Sequence, residues 1–231
     1  MLMLCVDSSS QAATAALMCD GELLSEYTQN QKKTHSVKML PMIEKMIEDV
    51  GMELSDVDYF ACGIGPGSFT GLRIGVATMR GFAKTLDKKC VAVNSLEALA
   101  NNVSGYRGKV FSLLSARENE CYCAVYENGE EVMPPCVLTL EEIVKNAEGT
   151  NCVLVGDGAL INRDYFKDAL PEACFTSERN NMISAQSMAE AALKKIEKNE
   201  ICDAEGLIPL YLRKSQAERE YDEKMKREGI E

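Results

Sequence analysis

The run GPGSFTGLRIG at Gly65–Gly75 constrains this chain more than any other stretch. It follows an apolar segment, Val57–Ile64, and leads into a helical pattern, Phe69–Leu86. Proline fixes φ and glycine accepts positive φ, so residues 65–67 form a sharp turn. Ser68 or Thr70 caps the helix that follows. Gly71 and Gly75 sit one turn apart on one helix face. Each costs about 1 kcal/mol relative to alanine in a helix interior, so this helix needs another backbone close by. The motif reads as a tight strand-to-helix turn whose helix packs closely on its own sheet. A phosphate loop is the weaker reading, because it needs Lys-Ser/Thr after its last glycine and Leu72-Arg73 stand there. A dinucleotide turn opens the first βαβ unit, whereas strands and a helix precede this motif.

Patterning along the chain gives the same arrangement twice. Met1–Val6, Ala12–Met18 and Glu22–Thr28 read as three antiparallel strands, with Asp20-Gly21 as a hairpin turn. A helix over Ser36–Val50 ends at Gly51. Strand Tyr59–Ile64, helix Phe69–Leu86, strand Cys90–Val93 and helix Leu96–Asn101 follow. After a boundary near Gly105–Gly108, strands are expected at Val110–Leu114, Cys121–Tyr126 and Val132–Leu138. Helix Leu140–Ala147, strand Cys152–Val155 and helices Ala159–Ala169 and Ser184–Lys198 complete the second half. The domains expected are an N-terminal lobe (1–106), a C-terminal lobe (107–213) and a charged tail (214–231) that reads as solvated.

Composition narrows the classes. The 231 residues suit one large domain or two small lobes. No apolar run approaches the roughly 20 residues of a membrane span, and MLMLCV reaches Asp7 too early for a signal peptide, so a cytoplasmic location is expected. The ten cysteines are scattered without a CxxC pair, which favours buried reduced thiols over zinc or disulfides. A formal charge of −11 argues against strong nucleic-acid binding by this chain alone.

Several blocks, in order, resemble the bacterial TsaB (YeaZ) family of the Gcp-like, glycoprotease-like superfamily. They are Asp7-Ser8-Ser9, His35-Ser36 with Leu40-Pro41, Gly65–Gly75, Ser95–Leu99, Ala116-Arg117 with Glu120 and Tyr122, Gly156–Ala159, and Pro209–Arg213. The resemblance implies an α/β, actin-like ATPase (ASKHA) fold of two ribonuclease-H-like lobes with mixed sheets. It implies a part in making threonylcarbamoyladenosine beside the tRNA anticodon. In that family a TsaD-like paralogue is the catalytic subunit and a TsaE-like ATPase joins the complex. The TsaB-like subunit is the scaffold or activator, forms a homodimer in isolation, and meets tRNA only through the complex.

The residues themselves argue against chemistry by this chain. The catalytic paralogue holds metal through an HxxxH pair; here His35 is the one histidine and Met39 takes the second place, so no metal ligands are assigned. Asp7, Ser8 and Ser9 are the candidate nucleotide-binding residues, although their turn lacks the glycine of an Asp-x-Gly-Thr/Ser phosphate hairpin. The family usually has aspartate where Ser115 stands. Arg117 reads as ion-paired with Glu118 and Glu120, and Gly156-Asp157-Gly158 as a strand-end turn. No catalytic residue and no tightly bound cofactor is expected, with room for ATP or ADP at the interface of the complex. Two other classes stay open: an actin-like ATPase or small-molecule kinase, and a glycoprotease-type peptidase.

Two helices suggest an interface. On helix Ser36–Val50 the apolar arc spans roughly 160°, against the roughly 100° that covers a core. The wide arc reads either as a helix sunk deeply into its own lobe or as a methionine side that faces a partner, since methionine adapts to varied surfaces. The interface expected comprises Met39, Met42, Ile43, Met46, Gly71, Leu72, Gly75, Met79 and Phe82. Arg73, Arg80 and Lys84 form a basic stripe suited to an acidic partner.

Overall fold

The computed structural model describes residues 1–30, 35–213 and 225. The expected tail over 214–231 therefore lies outside the described residues, apart from Met225. Strand β1 (Leu2–Asp7) pairs antiparallel with β2 (Ala13–Cys19), which pairs antiparallel with β3 (Glu22–Gln29). Asp20 and Gly21 turn the β2–β3 hairpin at φ of 47° and 86°, the left-handed conformation an Asp-Gly turn requires. Helix α1 (His35–Asp49) follows. Strand β4 (Tyr59–Gly65) runs parallel to β1, and β5 (Lys89–Asn94) runs parallel to β4. Helix α2 (Phe69–Leu86) connects β4 to β5, and α3 (Ser95–Asn101) closes the first half.

The second half repeats the plan. Strands β6 (Lys109–Arg117), β7 (Glu120–Glu127) and β8 (Glu130–Thr139) form an antiparallel meander. Helix α4 (Leu140–Ala147) leads to β9 (Cys152–Val155), which pairs parallel with β6. Then come α5 (Asp157–Ile161), α6 (Arg163–Ala169), β10 (Cys174–Phe175) and α7 (Ala185–Glu197). The first sheet has the order β3-β2-β1-β4-β5, and the second, taken from its other edge, β8-β7-β6-β9-β10. The duplicated pattern in the sequence is thus a duplicated mixed sheet.

Three cores hold these layers. One lies under α1 and α2 on the outer face of the first sheet, and one under α4, α5 and α6 on the outer face of the second. The third lies between the sheets and is filled by α3 and α7. Strand β1 is buried along its whole length, as apolar side chains on both of its faces require.

The structure departs from the sequence reading in two places. The helix expected over Ala159–Ala169 is two helices, because Asn162 leaves helical geometry (φ −102°, ψ 22°) and its amide donates to the Gly158 carbonyl at 2.8 Å. The two-residue strand β10 carries too little pattern to be seen in sequence. Helices of the two expected lobes, 1–106 and 107–213, pack across the boundary between them. Helix α7 packs on β1, β2, β3, β4 and β5, and α3 packs on β6 and β7. Its small side chains, Ala185, Ala189, Ala191 and Ala192, let α7 sink between the sheets.

Candidate functional site

Asp7, Ser8 and Ser9 lie where β1 ends, and all three are buried. The Asp7 Oδ1 accepts from the Ser9 backbone N–H and from Ser9 Oγ, each at 2.8 Å. Its Oδ2 accepts from Ser95 Oγ at 3.0 Å, and that hydroxyl in turn accepts from the Gly65 N–H at 3.2 Å. A Cβ on Gly63 would stand 1.8 Å from Asp7 Oδ2, so the carboxylate rests directly on the β4 backbone. Ser8 Oγ donates to the Gly71 carbonyl at 2.8 Å, and the Ser9 carbonyl accepts from the Ser68 N–H at 2.6 Å.

In this structure Asp7, Ser8 and Ser9, the residues of the nucleotide-binding reading, serve internal hydrogen bonds. A helix N-terminus can receive a phosphate on its free N–H groups. At α2 the Ser9 carbonyl takes the Ser68 N–H, and Ser68 Oγ takes the Gly71 N–H at 3.2 Å. The turn is welded to the helix from within the lobe and shows none of its three side chains to solvent.

The interface reading of α1 and α2 also changes. Met39, Met42, Ile43, Met46, Gly71, Leu72, Gly75 and Met79 are buried in their own lobe. The wide arc of α1 is wide because that helix sits deep on the sheet, not because methionines face out. The close approach expected at Gly75 is internal and made by side chains rather than backbone, for a Cβ there would stand 2.6 Å from Ser8 Oγ.

Helix α2 therefore has three faces. Gly71, Leu72, Gly75, Val76, Met79 and Ala83 face the core. The basic stripe faces the chain's own C-terminal segment: Arg73 Nε donates to Tyr211 OH at 3.1 Å and Lys84 Nζ to Glu205 at 2.9 Å. The Lys84 ammonium, with Arg80 beyond it, holds the Glu205 carboxyl below its usual range. The third face is open. With α1 and Leu54 it forms an apolar groove of about 480 Å³ lined by Leu40, Ala77, Thr78, Gly81, Phe82, Thr85 and Leu86. Phe82, half-buried, is the one expected interface residue that lines it, anchored on Phe60 at 5.9 Å between rings. Val37 and Leu40 are 64% and 51% exposed at the start of α1.

In the second lobe, Asp157 Oδ1 accepts from the Ser115 N–H at 2.8 Å. Burial raises the Asp157 carboxyl above its usual range, against the Ser115 and Gly158 N–H groups that pull it down. Gly156 (φ 116°) lets this turn touch β6, since a Cβ would stand 2.0 Å from the Leu113 carbonyl. Glu120, read in sequence as a partner of Arg117, pairs with Arg213 instead. His35 begins α1, but its side chain is outside the described residues. Among the described residues no three His, Cys, Asp or Glu side chains converge as a metal set.

The profile of the TsaD family, described as tRNA N6-adenosine threonylcarbamoyltransferase, matches residues 22–221. The chain is 31% identical to the tRNA threonylcarbamoyladenosine biosynthesis protein TsaB of Bacillus subtilis (strain 168), over 98% of this chain and 100% of that protein. It belongs to the TsaB (YeaZ) family. The TsaB of Haemophilus influenzae is 28% identical over 91% of this chain and 93% of its own length. YeaZ from Pseudomonas aeruginosa superposes with a TM-score of 0.78 at 26% identity, covering 91% of this chain and 99% of that one. The fold extends beyond the TsaB family. The activator of 2-hydroxyisocaproyl-CoA dehydratase from Clostridium difficile, solved with bound ADPNP, has a TM-score of 0.55 at 11% identity, covering 87% of this chain and 97% of that one. That likeness establishes the actin-like architecture of this TsaB-family chain.

Sequence reasoning missed Leu54, Ala77, Thr78, Gly81 and Thr85 as groove residues. A signal was present: Ala77 and Gly81 are small residues one turn apart on the exposed side of α2.

Proposed function

We propose that this chain is a non-catalytic subunit of the machinery that makes threonylcarbamoyladenosine in tRNA. It scaffolds and activates a larger TsaD-like paralogue. The observation that carries this reading is the contrast on one lobe between a sealed Asp7 turn and an open apolar groove. A phosphotransferase of this architecture needs its first-lobe turn free for phosphate; here Asp7, Ser8 and Ser9 serve internal hydrogen bonds. A docking subunit needs accessible apolar area flanked by small residues, so that helices approach closely; Leu40, Ala77, Gly81, Phe82 and Leu86 supply it.

In this reading the TsaD-like partner seats its own helices on α1 and α2. Two copies of this chain join through the same face when the partner is absent. A TsaE-like ATPase completes the assembly in the cytoplasm, and ATP or ADP is handled at the interface of the complex. The chain's net charge of −11 repels a polyanion, so the partner carries most tRNA contacts.

Depletion of the chain tests the role. Mass spectrometry of nucleosides from bulk tRNA is expected to show loss of threonylcarbamoyladenosine, and normal levels would sink the assignment. Adding the pure chain to a TsaD-like and TsaE-like pair is expected to restore transfer. Sustained ATP turnover by the pure chain alone would overturn its non-catalytic part.

A further inference from the structure

The segment that follows α7 crosses back over the first lobe and then leaves it. Cys202 forms a two-hydrogen-bond bridge to Cys90 on β5, with N···O distances of 2.8 and 2.9 Å. Lys89 pairs with Asp203, and Lys84 with Glu205. Leu207 is buried in the first-lobe core. The Leu210 N–H donates to the Ile64 carbonyl at 2.7 Å, at the C-terminal end of β4. Tyr211 stacks on Phe69 at 4.6 Å with its ring 6° from parallel, and its hydroxyl accepts from Arg73. Leu212 then packs on the core between the lobes, and Arg213 pairs with Glu120 at the start of β7.

The last contact differs from the others. Lys84–Glu205 and Lys89–Asp203 join parts of one lobe, and their side chains are 74%/63% and 54%/70% exposed. Arg213–Glu120 joins the two lobes, and its side chains are only 21%/32% exposed. A shielded guanidinium–carboxylate pair is stronger and more directional than an exposed ammonium pair. Glu120 also lies opposite Arg117, at the C-terminal end of β6. The segment thus spans the ends of β4 and β6, one from each sheet, on the side of the molecule where the Asp7 turn lies.

We propose that Leu207–Arg213 is an inter-lobe latch. Arg213 and Glu120 close it. The α3–α7 layer serves as the hinge. Tyr211, Phe69 and Arg73 tie the latch to the first turns of α2, so the position of the second lobe is felt at that helix. The device is a property of the chain alone and holds whether or not a partner docks on α2.

Hydrogen exchange on the full chain, read by mass spectrometry, tests this. Arg213→Glu is expected to speed exchange at least tenfold over the Asp7–Ser9 turn and the first turns of α2, with α4 and α6 unchanged. Glu120→Arg is expected to do the same, and the double variant Glu120→Arg/Arg213→Glu to restore slow exchange. A uniform rise across both lobes overturns the latch, because that is lost stability rather than release. So does a double variant that exchanges as fast as either single one, and so does unchanged exchange in both single variants.

Discussion

The hydroxyl of Ser8 occupies the space that a side chain on Gly75 would need. It stands 2.6 Å from the Cβ position and donates to the Gly71 carbonyl at 2.8 Å. Helix α2 thus lies so close to the β1–β2 turn that a side chain at residue 75 fits only if the Ser8 hydroxyl gives up its place.

Gly75→Ala is therefore expected to destabilise the chain by about 1–3 kcal/mol, the usual cost of overpacking a filled core. Urea denaturation measures it. Adding Ser8→Ala removes the clashing oxygen, so the double variant is expected to lose less than the sum of the two single changes. Additive losses would show that the two residues do not share this space.

Gly81 is expected to behave in the opposite way. It lies on the same helix with no atom within 4 Å of its Cβ position. Gly81→Ala is expected to stabilise α2 by up to about 1 kcal/mol through helix propensity. Gly81→Trp is expected to fold and fill the groove between α1 and α2, weakening a TsaD-like partner at least tenfold in a calorimetric titration. Unchanged affinity with folded Gly81→Trp would remove this groove as the docking face.

Asp157 gives a pH dependence. Burial raises its carboxyl in the folded state, so the fold binds the proton more tightly than the unfolded chain does. Its contribution to stability is full below the unfolded aspartate value and is lost as pH rises through the folded value. Asp157→Asn keeps an oxygen for the Ser115 N–H and has no charge to bury. The stability of this variant relative to the parent is expected to grow as pH rises from acid to neutral, by urea denaturation at each pH. A difference that stays constant with pH would contradict it.

Cysteine labelling reports on packing. Cys174 is exposed, whereas Cys5 and Cys62 are fully buried and burial pushes their thiols up. Reaction needs an accessible thiolate. A thiol-specific disulfide reagent is expected to label Cys174 first in the native protein, with Cys174→Ser removing that fast phase. Cys5 and Cys62 are expected to react only on unfolding; their labelling in the native state would contradict the buried β1–β4 pairing.

The sequence by itself determined the local elements and their order. Asp20-Gly21 could only turn a hairpin, Gly65–Gly67 could only break β4 from α2, and two successive strand meanders each fed α/β units. Turn chemistry and period are local properties, so they survive reading residue by residue. The tertiary structure decided which side of each element meets what. Met39 and Met46 look like partner contacts on a helical wheel, because a wheel gives the width of an apolar arc and not the depth at which the helix sits. The carboxylate of Asp7 meets Ser95 and Gly63, which are distant in sequence. Arg73 and Lys84 look like a stripe for an acidic partner until the returning C-terminal segment brings Tyr211 and Glu205 to them. Burial depends on which layers close over a residue, and those layers come from elements distant in the sequence.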